Sequence, residues 1–347
     1  DESNIIGVYK DDWFGDISIE KGKDLLMLKS ARSTKMSGPL YYYGGNTYLV
    51  KWNYQMQKPM SSYLVMLAIG KFIKQKEVTK SGTQLEYYLD RNDADKFEPT
   101  YRYSKQMFDF LEEEIGFAYP WQNYKQVPVH DFLYAGMENT TATFFSEAFV
   151  TDSIGFADRN YVNVNAHELA HQWFGNLVTE TEGTHHWLHE GFATYFALLA
   201  EKAIFGEDYY YWKLFQSAEQ LKSLSEEGKG AALNNPNASS LIFYEKGAWA
   251  LHVLREKVGD SVFKKAINNY IEKHRYKNVT TDDFIIEVEQ AYGKELHEFK
   301  KDWILQSAFK SEQAYQSLIK SNFINEYFKI SALRGTPIQL KIAELEK

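Results

Sequence analysis

The chain has 347 residues, enough for two or three compact units, each with its own core. With 39 Lys and Arg against 47 Asp and Glu its formal net charge is −8, so no basic excess exists to neutralise phosphates and a nucleic-acid footprint is excluded. It has no cysteine, which removes disulfides, thiolate catalysis and cysteine-ligated zinc together and leaves any transition metal to histidine and carboxylate.

From Asn4 to about Asn53 the pattern is short and strand-like. Alternating stretches at Asp16–Ile19, Leu25–Leu28 and Thr47–Trp52 are separated by turns at Gly22-Lys23 and Gly44-Gly45-Asn46, which predicts a small antiparallel β unit. The apolar run 63–69 is expected to be a buried strand, and Gln84–Leu89 a second one. The run ending at Gly70 is far shorter than the ~20 residues a membrane-spanning helix needs, so no span is expected. Asp1 is followed by no charged n-region with an apolar h-region, and absence of cysteine suits reducing and oxidising compartments alike, so the compartment stays open. Pro99 sits where a first helical turn tolerates it, ahead of an amphipathic run from Thr100 to about Ile115 that closes at Gly116. From Val162 onward the pattern is almost wholly helical, with helices expected near 162–178, 188–204, 207–224, 241–257, 260–273, 281–291 and 295–318. Strands followed by helices make an α+β arrangement.

The first of those helices carries His167-Glu168-Leu169-Ala170-His171. Two histidines four apart project from one helix face about a turn apart, the spacing at which two imidazoles grip one ion. Glu168, beside the first of them, is placed to reach a water at the metal without binding the metal itself. A catalytic zinc needs three protein ligands and an open position, so a third ligand must come from elsewhere. Glu190, at the start of a strongly apolar helical pattern and separated from His171 by 18 residues, is the natural candidate. His185, His186 and His189 crowd the loop before it and form a competing set; loop polarity, hydrogen bonding and cleft lining are their ordinary roles.

Four segments in order, Ala135-Gly136-Met137-Glu138-Asn139, the stretch His167 to Asn176, Trp187 to Ala193, and Tyr244-Glu245-Lys246-Gly247-Ala248, resemble the zinc aminopeptidase family typified by aminopeptidase N, within the gluzincins. The likeness runs from about Pro59 to Trp303. It implies an α+β, thermolysin-like catalytic domain, one Zn2+ held by His167, His171 and Glu190, and peptide substrates with a free N-terminus. Glu168 would take a proton from water and deliver it to the leaving amine. By the same resemblance Tyr244 would donate a hydrogen bond to the tetrahedral oxyanion. Glu138 would pair with the substrate's α-ammonium and so measure distance from the chain end. Ala135, where the family usually has Gly, and Gly136, Met137 and Asn139 complete the substrate-binding segment, and Tyr134 and Met137 are candidates to line the pocket for the first side chain.

Members of that family usually begin with a large β-rich domain that supplies a second amine anchor, and no such region is recognisable here. Residues 1–53 instead faintly resemble a small β accessory module of serine β-lactamase-like hydrolases, through Gly7 to Asp16 and Gly45 to Trp52. The expected organisation is a β-rich module at 1–58, a catalytic domain at 59–305 and a C-terminal helical segment at 306–347. The expected activity is zinc-dependent hydrolysis at peptide amino termini. A zinc oligopeptidase or endopeptidase, and a non-catalytic zinc-containing peptide-binding protein, are the alternatives. The preferred first residue and the oligomeric state are not legible.

Overall fold

The computed structural model describes residues 5–11, 15–31, 37–44, 47–50 and 56–333. Contacts divide the chain into two units, Asp1–Pro59 and Met60–Lys347. The first is an antiparallel meander in the order β1 (Gly7–Asp11), β2 (Gly15–Lys21), β3 (Leu26–Ser30), β4 (Gly38–Gly44) and β5 (Thr47–Val50). Leu26 and Leu40 are buried within it while Val8 and Tyr41–Tyr43 are exposed, so one face carries its apolar contacts. Lys51, Trp52 and the Gly45-Asn46 turn lie outside the described residues.

The second unit opens on β6 (Phe72–Val78) and β7 (Gln84–Asp90), then α1 (Phe97–Tyr101) and α2 (Ser104–Ile115). Next come β8 (Asn123–Val129), β9 (Gly136–Met137) and β10 (Ala142–Ser146), then α3 (Val162–Ala170). The strands form one sheet in the order β6-β7-β8-β10-β9, with β7, β8 and β10 parallel and both outer strands antiparallel. After β11 (Val178–Glu180) come α4 (Trp187–Phe205) and α5 (Glu207–Glu226). A π turn at Ile242–Lys246 then leads into α6 (Gly247–Val258), α7 (Asp260–His274), β12 (Lys277–Val279) and α8 (Thr281–Tyr292). The short α9 (His297–Phe299), a second π turn at Lys300–Leu305, α10 (Ser311–Leu318) and α11 (Asn322–Leu333) complete it. This is the expected α+β arrangement. Aromatic rings fill its core: Phe174 packs on Phe192 and Phe196 at 4.7 and 4.9 Å between centroids, and Phe145 stacks on Tyr161 at 3.8 Å. α4 is buried nearly all round, which makes it the central helix. No helix among the described residues is long and apolar enough to cross a membrane.

Three expectations need correction. The run 63–69 is not a strand but a 3₁₀ turn at Ser62–Leu64 followed by irregular chain; only Leu64 is buried, and Val65 is 71% exposed. An apolar run becomes a strand only beside a partner, and among the described residues none pairs with it. The helix expected over 162–178 ends at Ala170, because the Asn176 and Val178 amides bond back to His171 O and Trp173 O in a tight turn that feeds β11. The helix expected over 295–318 breaks at Gln306, whose backbone is extended and whose carbonyl, with that of Ser307, accepts from buried Lys246 Nζ.

Candidate functional site

The metal-ligand candidates meet where α3 crosses α4. His167 Nε2 and His171 Nε2 are 3.0 Å apart and lie 3.2 and 3.4 Å from Glu190 Oε2. Tetrahedral zinc with bonds of about 2.0–2.1 Å requires ligand atoms about 3.3 Å apart, so the donor set fits the ion in identity, number and spacing. His171 Nδ1 donates to Phe174 O at 2.9 Å, which leaves the lone pair on Nε2, and His167 Nδ1 stands 3.5 Å from Thr194 Oγ1. Burial lowers the His167 imidazolium. At His171 burial acts in the same direction but is outweighed by the carboxylates of Glu190, Glu138 and Glu168, which hold the group up at about 10. Burial would raise the Glu190 carboxyl, yet His171 and His167 keep it well below the usual range. The carboxylates thus create a negative field at the imidazole nitrogens that a dication satisfies.

The second histidine set does not compete. Glu180, His186 and His189 are clustered, but the Glu180 amide donates to His189 Nε2 at 2.8 Å. That bond puts the His189 proton on Nδ1, toward Glu180 Oε2 at 3.5 Å, and removes its lone pair from the cluster. His186 Nδ1 donates to Glu180 Oε1 at 3.0 Å, and His185 Nδ1 accepts from Thr281.

Around the triad the remaining candidates separate. Glu168 is buried, and burial raises its carboxyl well above the ordinary range. Gly136 lies against it: a Cβ there would sit 2.4 Å from Glu168 Oε1, so only glycine permits the approach. Tyr244, carried by the π turn, stacks on His167 with ring centroids 5.3 Å apart; burial and the Glu190 carboxylate raise its phenol, keeping it protonated. Glu138 has a carboxylate oxygen within 4.8 Å of the donor atoms of Glu168 and His171, and Tyr63 Oη donates to it at 3.5 Å. A cavity of about 520 Å³ is lined by Glu138, Met137, Tyr134, Tyr63 and the triad. A second, of about 350 Å³, shares Tyr134, Gly136, His167, Glu168 and Tyr244 with it and adds Ala135. Asn139 lines neither; it is buried and donates to Leu64 O at 3.0 Å.

Several supporting residues went unassigned from sequence. Gln172 and Asn176, just past α3, both donate to Glu138 O, at 3.1 and 2.7 Å, and Gln172 Oε1 accepts from the Thr141 amide. Buried amides amid Trp173, Phe174 and Leu177 are the signal that could have marked them. Gly191 and Gly247 touch where α4 crosses α6: a Cβ on Gly191 would lie 2.8 Å from Gly247 Cα. That contact stands one residue from Glu190 and three from Tyr244. Lys246, pushed down to about 8 by burial, donates to Ala231 O, Gln306 O and Ser307 O and clamps the π turn.

Comparison with known proteins agrees with this geometry. The Peptidase family M1 domain matches residues 100–303. Aminopeptidase M1 of Arabidopsis thaliana is 32% identical over 281 residues, which cover 76% of this chain and 31% of the relative. Endoplasmic reticulum aminopeptidase 1 of Homo sapiens is 30% identical over 247 residues, 68% of this chain and 26% of the relative. The chain thus spans about three-tenths of the length of the curated relatives it matches. An M1 zinc metallopeptidase from Deinococcus radiodurans shares the fold with a TM-score of 0.62 at 21% identity, covering 78% of this chain and 60% of that one. With its four motifs gathered around one donor triad and the family domain matched across the helices and strands that build it, this chain belongs to peptidase family M1.

Proposed function

We propose that the chain is the catalytic region of a zinc-dependent aminopeptidase that hydrolyses the first peptide bond of peptides with a free amino terminus. The observation that carries the reading is Glu138: its carboxylate borders the same cavity as the triad, within 4.8 Å of donor atoms of Glu168 and His171. An ammonium paired there has its own carbonyl at the metal site. Similarity to relatives named as aminopeptidases supports it.

Zinc held by His167, His171 and Glu190 would supply Lewis acidity to a water and to the scissile carbonyl. The chain's residues do the rest. Glu168, its carboxyl raised by burial, accepts the proton of the attacking water and returns it to the leaving amine. Tyr244, held as a neutral phenol, donates to the oxygen that gains charge. β9 pairs with β10 along one edge, Met137 opposite Phe144 and Gly136 opposite Phe145, and its other edge takes the substrate backbone as an added strand.

The test compares an aminoacyl arylamide with its N-acetylated form on zinc-loaded protein. The free amine is cleaved much faster if Glu138 reads the ammonium; equal rates overturn the amino-terminal reading and leave a metallopeptidase of other specificity.

A further inference from the structure

The smaller cavity receives what lies beyond the scissile bond. It contains His167, Glu168 and Tyr244 but none of Glu138, Glu180 or Glu190, so a substrate whose ammonium is paired with Glu138 leads its second and third residues into it. One wall is a face of α5, where Lys213, Gln216, Ser217 and Gln220 recur at i, i+3, i+4 and i+7, a polar stripe about 10 Å long that borders the helix's buried face and shares Ser217 with it. All four can donate hydrogen bonds and none is acidic.

Two of them have capacity to spare. Ser217 is 5% exposed, yet its Oγ has no hydrogen-bond partner among the described residues, although buried hydroxyls are nearly always paired. Lys213 is half-buried and its ammonium lies 6.0 Å from the centroid of the Tyr209 ring, with no ion pair among the described residues. Buried Glu201, the carboxylate whose charge Lys213 influences, is already satisfied by Asn163 Nδ2 at 2.8 Å and Tyr209 Oη at 2.9 Å. Glu245, which follows Tyr244, also lines the cavity and, like Lys213, acts on the charge of Glu201.

We infer that this wall is a carboxylate subsite. Lys213 pairs with the C-terminal carboxylate of a short peptide, and Ser217 donates a second hydrogen bond to it. The inference rests on the aminopeptidase reading and narrows its substrate class: the cleft reads both ends of its substrate, the ammonium at Glu138 and the carboxylate at Lys213, and so selects short peptides.

The experiment measures kcat/KM for trialanine, its C-terminal amide and its N-acetyl derivative on the zinc-loaded full chain. The wild-type protein is expected to favour the free acid over the amide about tenfold, through KM, the size of one charge-assisted hydrogen bond. Lys213→Met should bring the two within about twofold, Lys213→Arg should keep the preference, and Ser217→Ala should halve it or more. Lys213→Gln, with a thermal unfolding midpoint measured for each variant, replaces Lys213→Met if that chain does not fold. Equal hydrolysis of acid and amide by the wild type, or a preference that survives in folded Lys213→Met, overturns the inference alone. Equal hydrolysis of trialanine and its N-acetyl derivative overturns the aminopeptidase reading beneath it.

Discussion

The two walls of the cleft are built by different physics. The helical wall holds His167 and Glu168 on α3, His171 at its C-cap and Glu190 on α4, where helix pitch spaces the two histidines and close packing fixes the crossing. The opposite wall is two residues of edge strand and a loop, and its key carboxylate, Glu138, is positioned by side-chain amides of Gln172 and Asn176 gripping its backbone carbonyl. The first wall is therefore expected to tolerate loss of individual polar contacts better than the second. On the proposed function, chemistry would sit on the helical wall and specificity on the loop wall.

The largest effect should come from disabling the helical wall without moving it. Glu168→Gln is expected to lower kcat by about 10²–10⁴ while zinc content, measured by metal analysis, is retained. Loss of zinc would show that Glu168 also holds the helix crossing. Tyr244→Phe should lower kcat by about 10²–10³ with KM nearly unchanged; a rise in KM instead would make the phenol a ground-state contact.

Away from the site, the helical side should reveal its own weak point in acid. His252 is buried between Tyr210 Oη at 2.9 Å and Ser317 Oγ at 2.7 Å. Burial pushes it down to about 4; Glu256 opposes that shift, while Lys320, Lys202 and Arg255 reinforce it. The unfolded imidazole binds its proton near pH 6.5, so between 6.5 and 4 the unfolded state holds more protons and stability falls as pH drops, by on the order of 3 kcal/mol. Thermal unfolding across that window should show the decline, and His252→Gln should flatten it. An unchanged slope would locate the acid sensitivity elsewhere.

The smallest effect belongs to the loop wall. Asn176→Ala should leave zinc content intact and cost about tenfold in kcat/KM for free-amine arylamides, with a smaller loss for N-acetylated ones. Equal losses for both would mean that the loop is held by packing and not by the amides.

What could be read from sequence follows the same division. The candidate ligands His167 and His171 could be proposed because helical spacing is a local rule, and the α+β order was legible because strand and helix periods differ within short windows. Glu138 was legible only through its motif. Gln172, Asn176 and the Gly191–Gly247 contact act across elements, joining residues up to 56 positions apart, and no local period announces such a partnership. The run 63–69 failed for a related reason, since apolar composition proposes a strand but only a neighbouring strand can accept it. Helix ends slipped where a distant residue decided them, as Lys246 does at Gln306.

The close approach of the Gly191 and Gly247 backbones limits how near α4 and α6 can come, one residue from Glu190 and three from Tyr244. Repulsion between atomic cores, unlike a hydrogen bond or an ion pair, does not respond to acidity, salt or denaturant short of unfolding. The stop between α4 and α6 is therefore mechanical, and it should hold under every condition in which the chain remains folded.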